Sequence, residues 1–441
     1  MYVTEHLKHY RDLYLIILSW PALGFILPSA VVLAWSVFSF VLILRQGDFT
    51  SIFLAFVATL LFSDSYLLPL AFAATAKIVM VVLLLGYVVT NYKEFSAFDN
   101  RVFKYFLPFL IFALLASLWS VDIFNSFQKS LSYGIVFFVM PLFFQKARSS
   151  NDYFGKDLVI GYALFLLAGI LLWLINPEAG TLVGRYRGLM GNPNGMGTLL
   201  TVLAMLVFIL YQQSVELKKM ERLSWLFFFV VFVANLLLCG SRTALFSILI
   251  FLLFTRLRYF TNFGTLIIFA LLIASYNFIL TNLPTIIVSL GLEDYLRSDT
   301  LEEGSGRFIA WNFAMEQIPN KLYLGGGFGY TEYLYKSYMT YLSQLGHQGN
   351  AHNSYLTLTL DTGIIGIILF LIGLVRTMVV SAGNFFYALP VFYAALFSAN
   401  FESWLAASLN PFTSLLLITL TIVTQPSSVE TAENESVKVS N

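Results

Sequence analysis

Charge is the scarcest commodity in this 441-residue chain: only 11% of positions are Asp, Glu, Lys or Arg, and 59% are apolar. Soluble domains run at about 25% charged and about 45 to 50% apolar. With a mean hydropathy of +0.79, a water-soluble fold is excluded. The net charge is +1, and no basic stripe of the kind that duplex phosphates require is present, so a nucleic-acid partner is excluded as well. The single cysteine, Cys239, rules out an intrachain disulfide and a cysteine-based metal cluster. The N-terminal MYVTEHLKHYRD lacks a small-residue cleavage site after a short apolar core, so no removed signal peptide is expected.

What the chain does have is a succession of apolar runs of about 15 to 22 residues, each long enough to cross a hydrocarbon core of roughly 30 Å as a helix. The expected fold class is an all-α polytopic membrane protein with about 12 to 14 transmembrane helices. Residues 13–44 are interrupted by Pro21 and Pro28. They read as two short helices meeting near Pro28, with one long tilted helix as the alternative. The economical organisation is a single transmembrane domain over 1–424, a large external loop at 281–351, and a polar, disordered cytoplasmic tail at 425–441. No internal repeat is visible.

Lys and Arg accumulate in cytoplasmic loops. Taking alternate connections as cytoplasmic places both termini there, together with the basic clusters at 218–222 and 256–258. The chain between those clusters must leave and return, which puts Gly240, Ser241 and Arg242 at an external apex. Nine of the 25 cations resist this assignment: Lys77, Lys129, Arg185, Arg187, Arg242, Arg297, Arg307, Lys321 and Lys336. They need another reason to exist.

Four segments carry polar groups to the external face: GRYRGLMGNPNGMG at 184–197, CGSRTAL at 239–245, GSGRFIAW at 304–311, and AHNSYLTLTLDTGIIG at 351–366. Arginine suits phosphate oxygens, because its planar fork grips them in pairs and it stays charged in a poorly hydrated site. Arg185 and Arg187 also read as interfacial residues snorkelling to headgroups, but the following Asn192-Pro193-Asn194-Gly195 is a strong turn signal and makes the segment a shaped hairpin. Arg242 sits between apolar runs with no acid nearby, where a charge is costly and faces a polar cavity. Arg307 has a loop ion pair with Glu302 or Glu303 as an equal alternative. Lys77, within an apolar run, reads either as a relay residue or as a snorkelled structural lysine.

His352 is the natural general base for a hydroxyl at neutral pH. Its competing role is to cap the helix it begins, a task better suited to Asn353 or Ser354. Alone, the capping role is favoured; with the arginines on the same side, the functional one is. Gly325, Gly326, Gly327 and Gly329 follow no predicted strand, so a nucleotide-binding loop is rejected in favour of a tight turn. His6 and His9 are expected on the side opposite His347 and His352, and no pair of acids has the local spacing for divalent-metal glycosyl transfer, so neither metal nor cofactor is expected. The external tyrosines, Tyr330, Tyr333, Tyr335, Tyr338 and Tyr341 among them, read as an interfacial belt or as stacking faces for sugars.

Arg185 to Gly197, Gly240 to Leu245, Gly306 to Trp311, Leu324 to Gly329, and Ala351 to Gly366 together resemble the O-antigen ligase and polymerase superfamily of bacterial envelope enzymes, over about residues 110 to 420. The first hundred residues resemble nothing beyond membrane helices. The resemblance implies a fold of the GT-C glycosyltransferase type in the bacterial cytoplasmic membrane. It also implies metal-independent, inverting glycosyl transfer at the periplasmic face. The donor is then a glycan on undecaprenyl pyrophosphate and the acceptor a hydroxyl, on a lipid A core sugar for a ligase or on another lipid-linked repeat for a polymerase. Matched motif by motif, Arg185 or Arg187, Arg242 and Arg307 would bind the pyrophosphate and His352 would activate the acceptor. Asn194, Asn353 and Glu402 are supporting candidates, Glu402 for orienting His352 or the acceptor. A ligase-type activity is the leading expectation and a repeat-unit polymerase the alternative. A transporter of lipid-linked sugars fits less well, since it would spread charge through many helix midsections, and a receptor or assembly scaffold built on the tyrosine-rich loop is a third reading.

Overall fold

A computed structural model describes residues 2–257, 260–275, 289, 306–347 and 349–425. Most of 281–305, with Arg297, Glu302 and Glu303, and the tail beyond residue 425 lie outside the described residues. Among the described residues, eight helices are long and apolar enough to cross a membrane by length and composition, and four shorter apolar helices of 10–17 residues accompany them. The only strands described form a two-residue hairpin, Thr181–Leu182 paired antiparallel with Arg185–Tyr186. The protein is an all-α polytopic membrane protein. Near the N-terminus the interrupted apolar stretch is two helices, Arg11–Gly24 and Ser29–Gln46. The break falls where Pro28, extended at φ −57 and ψ 143, precedes the second helix. Proline offers no N–H to continue the first helix but is tolerated at the start of the next.

The chain divides into two compact units. One comprises Met1–Asn100, Ser132–Leu245 and Ser408–Ile418. Its N-terminal helix, Tyr2–His9, is fastened to the start of the Phe154–Ile175 helix through one buried carboxylate. Asp157 is met by the hydroxyls of Tyr2 and Tyr10, each at 3.0 Å, by His6 Nδ1 at 2.8 Å and by the amide of Asn151 at 2.9 Å. A buried carboxylate is tolerated only when its lone pairs are satisfied in this way.

The other unit comprises Arg101–Leu131, Phe246–Ala407 and the chain from Thr419. Its spine is the Ser354–Asn384 helix, against which Arg101–Ala116 packs along its length. Phe106 and Phe109 meet Phe370 at ring separations of 5.2 Å. Phe112 lies by Gly366 and Phe106 by Gly373, so the two helices run antiparallel.

That spine is broken at Gly363, which adopts φ 65 and ψ −172. A break orphans backbone groups on both sides. Here a glycine-rich loop receives them: Gly326 and Gly327 N–H donate to the carbonyls of Leu360 and Asp361, both at 2.9 Å, while Ile364 and Ile365 N–H donate to Leu322 and Tyr323, at 2.7 and 3.3 Å. The loop must come so close that a Cβ on Gly325 would stand 2.4 Å from the backbone of Asp361, and one on Gly363 2.3 Å from the Tyr323 oxygen. The Asp361 side chain, fully buried, then accepts from Gly329 N, Thr331 N and Thr331 Oγ1, each at 2.7 Å, capping the Tyr330–Ser337 helix from a distance in sequence. The D-x-G pattern and the Gly325–Gly329 cluster are thus two halves of one splice.

Gly325→Ala is expected to destabilise by roughly 3 kcal/mol or more, since strain at a positive φ adds to overlap with backbone that cannot yield. Gly47→Ala is the control: φ is 72 there too, but nothing lies within 4 Å, so only about 1 kcal/mol is at stake. Melting temperatures of the two variants in detergent compare them directly; equal losses would refute the splice as a packing constraint.

Candidate active site

The stretch from Gly349 to Ser354 is shaped to present a histidine. Gly349 takes φ 121 and His352 takes φ 44, the latter in the left-handed region that costs a non-glycine residue about 1 kcal/mol or more. Local bonds hold this turn. Asn350 Oδ1 accepts from His352 N at 2.9 Å, and Asn353 caps the following helix by accepting from Tyr355 N at 2.9 Å and Leu356 N at 3.0 Å. Asn353 therefore performs the capping role, which leaves His352 without it.

Facing this turn is the loop that follows the Ala388–Ala399 helix, and the two are stitched together. Ser403 Oγ accepts from Asn353 N at 3.0 Å, Asn353 Nδ2 donates to Asn400 Oδ1 at 3.1 Å, and Ser354 Oγ donates to the Glu402 carbonyl at 2.7 Å while accepting from Leu405 N at 3.2 Å. The stitching sets the Glu402 carboxylate between the Arg307 guanidinium and the His352 imidazole. Oε1 lies 2.5 Å from Arg307 NH2, and Oε2 lies 3.2 Å from His352 Nδ1. Arg307 opens the Arg307–Gln317 helix just after Gly306 at φ 75, and its guanidinium lies 5.8 Å from the Phe401 ring. Glu302 and Glu303, the local alternatives for Arg307, lie outside the described residues.

Burial pushes the Glu402 carboxyl upward, but Arg307 and then His352 outweigh it, so the group is held below the ordinary 4.5. An ionised carboxylate only accepts, so the proton shared with His352 sits on Nδ1. In the neutral imidazole the lone pair is then on Nε2, which makes no hydrogen bond among the described residues. A Cβ on Gly349 would stand 3.1 Å from Nε2; glycine keeps that approach clear. His347 packs edge-on against His352 with ring centroids 5.8 Å apart. Burial, and next the neighbouring His352, hold its pKa below the usual 6.5. Among the described residues no group of three or more His, Cys, Asp or Glu is gathered for a metal ion.

The other unit collects two more of the motifs. Arg185 and Arg187 belong to the small hairpin, whose tip, Val183 and Gly184, has φ 49 and 73 as a tight two-residue turn requires. Arg185 donates to Asn194 Oδ1 at 3.3 Å and to the carbonyls of Cys239 and Gly240 at 2.9 and 3.2 Å, which joins the NPNG turn to the GSR turn. Arg187 is turned onto the carbonyls of Ala179 and Gly191. Both guanidinium groups thus organise backbone. Asn192 caps the Pro193–Gln213 helix through Gly195 N at 2.7 Å. Arg242 begins the Arg242–Arg256 helix beside it: a Cβ on Gly197 would stand 2.5 Å from Ser241.

Residues 226–371 match the family model described as O-antigen ligase. Over that third of its length the chain is similar to the O-antigen ligase and polymerase superfamily. A comparison with curated proteins finds no match. Members of that superfamily are glycosyltransferase-like enzymes. The matched region contains Arg242, Arg307 and His352, while Arg185, Arg187 and Glu402 lie outside it.

Three polar residues that bond to these motifs were not singled out from sequence. Asn350 and Ser403 are polar residues in turns, indistinguishable there from solvated loop. Asp64, just past the Phe49–Ser63 helix, accepts from Gly191 N at 3.3 Å, and burial raises its carboxyl to about 6. An acid between two apolar runs was the available signal.

Removing the Glu402 charge should expose the worth of the bridge. Breaking a largely buried pair from one side costs about 3 kcal/mol, so Glu402→Gln is expected to melt well below the wild type at pH 7. A carboxyl with a depressed pKa contributes fully above its ordinary value and loses that contribution as the pH falls through the lowered one. The gap between variant and wild type should therefore persist down to about pH 4.5 and close only below it. A gap unchanged at lower pH would refute the ionic bridge.

Proposed function

We propose that the chain transfers a glycan from undecaprenyl pyrophosphate to a hydroxyl acceptor, with inversion and without a metal, and that His352 is the general base. The observation that carries the reading is the Glu402 bridge, which fixes His352 in the Nδ1-protonated tautomer with Nε2 unengaged. This is the base-and-orienter logic of a catalytic triad, with Glu402 in the orienting role.

In the proposed step the acceptor O–H gives its proton to His352 Nε2 as its oxygen forms a bond to the anomeric carbon. The bond from that carbon to the pyrophosphate oxygen breaks from the opposite face, and the electron pair leaves with the pyrophosphate. A pyrophosphate is already a good leaving group, so the enzyme mainly has to orient the acceptor and offset the growing negative charge. Arg185, Arg187, Arg242 and Arg307 are proposed as the counter-charges, on motif resemblance. Arg307 engages Glu402 through NH2, so its first task is to hold that carboxylate in charge and place. The reading locates the reaction at the periplasmic face of the cytoplasmic membrane, with lipid A core as the acceptor of a ligase.

His352→Ala is expected to lower transfer by about 100-fold to 10,000-fold, the usual worth of a general base, and Arg242→Ala by about 100-fold or more. Glu402→Gln should fall between wild type and His352→Ala. Transfer assays on membranes, with insertion verified by protease accessibility, decide this: normal activity in both the His352 and Arg242 variants sinks the proposal. The envelope glycan of a deletion strain identifies the acceptor. Accumulated lipid-linked polymer with uncapped lipid A core marks a ligase, and single repeats without polymer mark a polymerase.

A further inference from the structure

The break at Gly363 divides the Ser354–Asn384 helix unequally. The part after it, 364–384, rises roughly 31 Å, enough to cross the hydrocarbon core, while the part before it rises only roughly 13 Å. Its antiparallel partner ends at the same level, since the Arg101–Trp119 span stops with Trp119 Nε1 donating to the Leu324 carbonyl at 3.2 Å. The Leu322 and Tyr323 carbonyls take the first N–H groups after the break. Two crossings and the 322–324 segment are therefore bonded together at one height.

The surface at that height is uncovered and apolar. Leu118 is 66% exposed, Phe124 78%, Tyr323 69% and Leu324 44%. Within residues 118–124 and 322–324 the one charged side chain is Asp122. Asp122 is turned onto Asn125 N at 3.0 Å, and Lys321 stands at the margin with its ammonium 5.9 Å from the Tyr330 ring. Exposed leucine and phenylalanine edged by Trp119 and Tyr323 match the composition of the boundary between headgroups and acyl chains, where tryptophan and tyrosine concentrate.

We propose that the Leu322–Leu324 segment and the 118–124 stretch are seated in the headgroup–acyl boundary of the bilayer, so that a lipid surface is the partner of this ledge. The observation that favours lipid over protein or glycan is continuity: the ledge is hydrogen-bonded to the ends of two bilayer-crossing helices. Seating it fixes the height of the short half-helix and of the His352 turn at its far end. That last consequence rests on the proposed catalytic role of His352; the lipid contact does not.

The test is site-directed spin labelling of the full chain in nanodiscs of phosphatidylethanolamine and phosphatidylglycerol. Phe124→Cys and Leu324→Cys carry the nitroxide, Lys336→Cys serves as the solvated reference, and unlabelled wild type checks that buried Cys239 stays unmodified. The expected result is a ratio of oxygen to nickel-chelate collision rates several-fold higher at 124 and 324 than at 336. A ratio equal to that at 336 places the ledge in water and overturns the proposal. Shielding of both labels from both reagents overturns it too, since it indicates a second copy of the chain as the cover. Neither outcome depends on transferase activity, so failure of the ledge and failure of the catalytic reading are separable.

Discussion

The carboxylate of Glu402 sits between the guanidinium of Arg307 and the imidazole of His352, and the rest of the site depends on that placement. A carboxylate this buried would ordinarily take up a proton. Arg307, and next the hydrogen bond to His352, keep it charged, and the charge in turn favours the proton of a neutral imidazole on Nδ1. The catalytic proposal needs Nε2 unprotonated, so it stands on the Arg307–Glu402 ion pair behind the imidazole.

Placement at this accuracy is backbone work. Ser354, Asn353 and Ser403 tie the histidine turn to the glutamate loop through hydrogen bonds that involve main-chain groups on both sides. The histidine turn also tops a half-helix whose base is spliced into the glycine loop. Positive φ at His352 and the close approach at Gly325 are both costly in isolation, and each persists because neighbouring bonds over-determine it. Strain and splice together make the short half-helix a rigid pedestal rather than a frayed helix end.

The membrane class, the apolar runs and the break at Pro28 were legible in the sequence, since hydropathy and proline act locally. Other readings needed the fold. Arg307 and Glu402 lie 95 residues apart, and His352 and Glu402 lie 50 apart, separations at which no spacing rule operates. Arg185 and Arg187 read from sequence as snorkelling residues or, one of them, as an anion ligand; their bonds to backbone carbonyls became visible only in the fold. Asp361, an acid within an apolar run, caps another helix across the Gly363 break.

By itself the sequence determined that this chain lives in a membrane, that its polar chemistry gathers in a few short motifs, and that a histidine and several arginines are the residues to watch. Composition and period carry that information because partitioning into a bilayer is a sum over neighbouring residues. Only the tertiary structure decided which arginine and which acid stand beside the histidine, and why glycines recur at 325, 327 and 363. Those are properties of atoms brought together from distant parts of the chain, and hydrogen-bond geometry, which falls off within a few tenths of an ångström, has no counterpart in a linear pattern.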